Sequence, residues 1–146
     1  MKFPFALPMA VACLLASPAV PHDKVQNQTV LAWMDLMVDI ADNTKALGQM
    51  ANRETPFDVT AAQNAASLLA IDASRIAELF ANQATDPHSE ALPEIWEDFP
   101  DFTAHARTLQ TAAQTMSQIT SLPDLQSTFP AIARSCLECH ESYRKP

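Results

Sequence analysis

Two thiols and an imidazole carry the most specific chemistry in this sequence, in the run Cys136-Leu137-Glu138-Cys139-His140. Cysteines three positions apart share one face of a helix, so each can add to one vinyl group of the same porphyrin. The adjoining imidazole is then carried under the iron as an axial ligand. The spacing predicts one covalently attached haem c, with Cys136 and Cys139 as thioethers and His140 on the iron. Other uses of these residues fit less well. A structural zinc site wants four Cys or His ligands, and His22, His88 and His105 are scattered with no second paired motif. A thioredoxin-like pair belongs at a strand-to-helix junction, and nothing before Cys136 reads as a strand. A disulfide between cysteines this close on one helix is geometrically awkward and leaves His140 unexplained.

The elements that must position these groups are helical. The chain has 146 residues, one domain's worth, with a single Gly and abundant Ala, Leu, Met, Gln and Asp. From about residue 24 to 52, Trp33, Leu36, Met37, Ile40, Leu47 and Ala51 recur at three- and four-residue steps. A second stripe, Val30, Met34, Met37, Ala41 and Gly48, shares Met37, which places that residue in the middle of the buried arc. Arg53 to Phe57 is read as the stop, because Thr55 precedes a proline, and Asp58 as the next N-cap. A second helix over 59–82 carries Val59, Ala62, Ala66, Leu69, Ala73, Ile76 and Phe80. Residues 83–93 form the longest loop, with His88 exposed in it.

Glu94 to Asp98 is a helical turn, and Phe99-Pro100 opens a third helix to about residue 120 with Phe99, Phe102, Ala106, Leu109, Ala113 and Met116 inward. His105 lies off that stripe and is assigned an exposed or helix-paired role. Leu122-Pro123-Asp124 is read as a turn, followed by a fourth helix presenting Leu125, Phe129, Ile132, Cys136, Cys139 and Tyr143, with Pro130 a point where it can kink. The expected fold class is all-α: an antiparallel up-down-up-down four-helix bundle with the haem between helices.

The formal charge of -8 argues against nucleic acid or an anionic membrane as partner and leaves room for a basic protein. Lys2, an apolar run to Ala16 and Ser17-Pro18-Ala19 read as a secretory signal over 1–19, with the bundle over 20–146. The run is too short and proline-rich to span a membrane; a lipoprotein site at Cys13 is the other alternative. Loss of residues 1–19 removes Lys2 and no acid, which takes the charge from -8 to -9, and removes Cys13, leaving only the motif pair. Such a chain suits a periplasmic compartment in which haem is attached after export.

With its motif on the last helix of a bundle, the chain resembles the class II c-type cytochromes, the cytochrome c-prime family. The resemblance rests on the stretch Met50 to Asp58, on Pro93-Glu94-Ile95-Trp96 with Asp98 and Phe102, and on Cys136-x-x-Cys139-His140 followed by Tyr143-Arg144. It implies His140 as proximal ligand and Arg144 as a basic residue beside the proximal face, which the residues alone read equally well as a cation complementing a helix C-terminus. Members divide at the distal side, some leaving the iron five-coordinate and low-spin relatives supplying a Met from the first helix. Counted back from Pro56-Phe57-Asp58, Met37 falls on that position, with Met34 one turn earlier as reserve. Trp33 stands where the family often has Arg, and Ala131-Ile132-Ala133-Arg134 replaces its Gly-rich approach to the motif. Members often pair through their first two helices, so the resemblance allows a homodimer, although an apolar outer stripe there is explained equally by bundle packing.

No acid/base pair, triad or phosphate loop stands out, so no enzymatic turnover is expected. Two functions follow: a one-electron carrier with a redox partner protein, and a gas-binding protein for nitric oxide or carbon monoxide. The residue at position 37 favours the carrier.

Overall fold

The computed structural model describes residues 24–146, so the signal segment, Cys13 and His22 lie outside the described residues. Four long helices and one short one follow in order: α1 Gln28–Ala51, α2 Val59–Phe80, α3 Glu94–Glu97, α4 Phe99–Met116 and α5 Leu122–Tyr143. The long helices pack α1 on α2, α2 on α4, α4 on α5 and, most sparsely, α5 on α1, which closes the ring of a four-helix bundle. The all-α bundle expected from the apolar periodicity is what forms.

The start of each of the four long helices is fixed by a side chain that satisfies an orphan backbone donor. Asn27 accepts from Thr29 N–H and Val30 N–H, Asp58 from Ala61, Asp98 from Asp101 and Ser121 from Asp124. The Ser121 cap corrects one boundary. Leu122-Pro123-Asp124 is not a turn but the first turn of α5, where a proline's missing N–H removes no helical bond. Pro130 lies further along, yet α5 stays helical through it.

The end of α1 has a different cause from the one read in the sequence. Glu54 N–H reaches back to Gln49 O at 2.8 Å and Arg53 N–H to Met50 O at 3.1 Å, with Arg53 at φ 62. This is a Schellman termination carried by an arginine at the left-handed position usually held by glycine. The core is a continuous cluster that includes Leu36, Leu47, Leu69, Ile95, Met116, Leu125 and Ile132, all essentially inaccessible. One end is sealed by aromatic rings. Trp33 stacks on Phe80 at 4.6 Å and meets Trp96 at 5.6 Å, Phe80 touches Phe102 at 5.2 Å, and Phe102 meets Tyr143 edge-on at 5.3 Å.

Candidate haem site

The site is built on the seam between α1 and α5. Gln126 Nε2 donates to Ala51 O at 2.8 Å, and a Cβ at Gly48 would stand 3.0 Å from Phe129 Cζ, so the end of α1 meets the start of α5 and the helices run antiparallel. Gly48 is used here for close approach, not for a special φ. Eleven residues back from Gly48 is Met37, and eleven residues on from Phe129 is His140. At 1.5 Å per residue both lie roughly 16 Å beyond that contact, at one height on facing walls. Met34, the reserve, falls instead level with Tyr143. On helical spacing Met37, Ala41, Thr44 and Gly48 share the strip of α1 that faces α5.

The seam is lined by side chains that the bundle does not bury. Met34, Met37, Cys136 and Cys139 are half-buried against the core, while Ala41, Ala133 and His140 are exposed. Two large apolar residues flank the same level from opposite helices, Val38 at 44% exposure and Leu137 at 58%. Thr44 Oγ1, on the same strip, is the one buried side-chain polar atom without a hydrogen-bond partner among the described residues. Two surface clefts, one bordered by Gln28, Thr29 and Leu79 and one on α4 around Arg107 and Thr111, include neither cysteine nor Met37.

The donor set fits a covalently held haem. Both cysteines are free, and Cys136 and Cys139 sit three positions apart on the inward side of α5. Burial raises the pKa of the Cys136 thiol; it pushes that of Cys139 up to about 11, with the Cys136 and Asp101 charges adding to it. A redox-active or nucleophilic cysteine needs the opposite shift. Although His140 is exposed overall, the protein around its ring lowers its pKa; Arg144 lowers it further and Glu90 opposes. A neutral imidazole is the form that ligates iron.

The remaining residues singled out in the sequence fall as follows. Arg144 is the cap of α5, its N–H donating to His140 O at 3.2 Å, and its side chain turns onto Glu90. His105 is helix-paired, its Nε2 3.4 Å from Asp101 Oδ2, and it touches Tyr143 edge-on. His88 is exposed in the loop before α3. Two pairings escaped sequence reading. Tyr143 donates its hydroxyl to Asp101 Oδ2 at 2.7 Å, and burial together with that bond pushes its pKa up to about 12. Glu90 is brought to Arg144 across 54 residues of sequence, and no local pattern announces such a pairing.

A family model described as cytochrome C′ matches residues 28–144 of this chain. The chain belongs to the cytochrome c′ family. Cytochrome c-554 of Cereibacter sphaeroides is 38% identical over 141 residues, covering 90% of this chain and 91% of that protein. Cytochrome c-556 of Agrobacterium tumefaciens is 32% identical over 117 residues, covering 77% of this chain and 91% of that one. Among solved structures, cytochrome c′ from Rhodopseudomonas palustris superposes with a TM-score of 0.73 at 23% identity, covering 83% of this chain and 98% of that chain; this likeness speaks to the fold alone. As a member of the cytochrome c′ family the protein is a haem protein with one covalent haem c per chain, in a family of electron carriers and gas binders that are not enzymes.

Among the described residues no helix is long and apolar enough to cross a membrane.

Proposed function

We propose that this cytochrome is a periplasmic one-electron carrier whose haem is fastened by Cys136 and Cys139, with His140 as proximal and Met37 as distal ligand. The observation that supports the reading is the antiparallel contact of Gly48 with Phe129 and of Ala51 with Gln126: counted along the two helices from it, Met37 and His140 come to the same height on the two walls of the seam, where both could reach one haem. Bound there, the haem supplies the one-electron chemistry itself. The chain's part would be to hold a neutral imidazole on one wall and a soft thioether on the other, and to leave an edge accessible between Val38 and Leu137.

Ligation by both His140 and Met37 would limit rearrangement between the two oxidation states, which would suit electron transfer over gas capture. Export follows from the reading of residues 1–19 as a signal. The experiment is the absorption and electron paramagnetic resonance of the oxidised holoprotein. A low-spin signal is expected; a high-spin oxidised protein would transfer the assignment to gas binding.

A further inference from the structure

Arg144 does not stand alone beside His140. Its Nε donates to Glu90 Oε2 at 2.6 Å, and Ala91 and Arg144 form an isolated antiparallel bridge. Around that bridge Leu92 N–H donates to Tyr143 O at 3.0 Å, Lys145 N–H to Glu90 O at 2.8 Å and Lys145 Nζ to Ser89 O at 2.7 Å. The same loop reaches the entry to α1, where Asp86 accepts from the N–H groups of Gln26 and Asn27 at 2.9 and 3.2 Å. The Glu90 carboxylate is therefore delivered by a backbone stitched at both ends, not by a mobile side chain meeting another by chance. Yet the pair itself is 52% and 58% exposed, and an ion pair that open contributes little to stability.

We propose that Glu90 sets the charge felt on the His140 side of the haem: it holds Arg144 and cancels it, so that the proximal face meets an ion pair instead of a bare cation. The inference rests on the reading of His140 as an iron ligand. Oxidation adds one positive charge at the iron, so a nearby cation disfavours it and a nearby anion favours it. The geometry puts that pair next to the proposed ligand, since Arg144 N–H donates to His140 O at 3.2 Å while the Arg144 side chain is held by Glu90. Glu90 and Arg144 are thus positioning and tuning residues whose effects must have opposite signs.

The test is a redox titration of the holoprotein at fixed pH and low ionic strength for wild type, Glu90→Gln, Arg144→Gln and the double variant. Glu90→Gln should raise the reduction potential and Arg144→Gln should lower it, while the double variant returns close to wild type. Arg144→Lys, which keeps the charge, should stay near wild type, and added salt should shrink both single shifts. A purely structural strap would move both singles in the same direction or leave them unmoved, and either result overturns the proposal, as would an Arg144→Lys shift as large as that of Arg144→Gln. Failure of the ligand reading shows itself separately, as a His140→Ala protein with an unchanged visible spectrum.

Discussion

At the scale of single residues, the roles proposed for the thiols of Cys136 and Cys139 and for the ring of His140 are independent. A thioether is a carbon–sulfur bond to the macrocycle, and the imidazole bond is to its iron, so removing one leaves the other intact. The expected outcome for His140→Ala is a protein that keeps haem through denaturation but loses its native spectrum. Cys136→Ala with Cys139→Ala should lose the haem on denaturing electrophoresis, and mass spectrometry of both variants checks this. These three residues were legible because their chemistry is written into adjacent positions. The position proposed for Met37 was half legible: the overlap of two stripes gives a rotation about the α1 axis, which Met34 nearly shares. Height along the axis depends on which residue of α5 touches Gly48, a contact between positions far apart in sequence. Glu90 was illegible for the same reason, since its partner is set by the loop's path.

At the scale of elements, the periodicity that buries one face of each helix also located each helix, because burial and helix formation depend on the same apolar spacing. What it did not supply was the cause of the α1 terminus, which it placed at about residue 52: the left-handed residue that ends the helix is Arg53 and not a glycine. A residue bearing a Cβ at φ 62 is strained, and Arg53→Gly should stabilise the fold by about 0.5–1 kcal/mol, read as a higher urea midpoint with an unchanged slope. Loop attachment gives a second expectation. Backbone N–H groups of His88, then Gln26, hold the Asp86 carboxyl below its ordinary value of 3.8, with Asn27 a smaller contributor. A carboxylate whose folded pKa is depressed stabilises the fold above its unfolded value, and that contribution is lost as the pH falls through the folded value. Asp86→Ala should therefore have a lower denaturation midpoint than wild type at neutral pH, and the gap should narrow as the pH drops below 3.8. A gap independent of pH would assign the loss to loop packing alone.

At the scale of the whole molecule, a chain of formal charge -8 presents a field to any redox partner, and that field is screened within about 10 Å at 0.1 M salt. Oxidation of the ferrous protein by a cationic complex such as tris(phenanthroline)cobalt(III) should slow as salt is added, whereas oxidation by hexacyanoferrate(III) should speed up. Stopped-flow rates across an ionic-strength series check the sign.

The account stands or falls on whether the two walls of the α1–α5 seam supply both iron ligands. Carbon monoxide binding to the reduced holoprotein, measured side by side for wild type, Met37→Ala and Met34→Ala, tests that most directly, because the gas must displace whatever occupies the distal position. The account predicts slow binding for wild type and Met34→Ala and fast binding for Met37→Ala. Equal rates for wild type and Met37→Ala, or acceleration only in Met34→Ala, would contradict it.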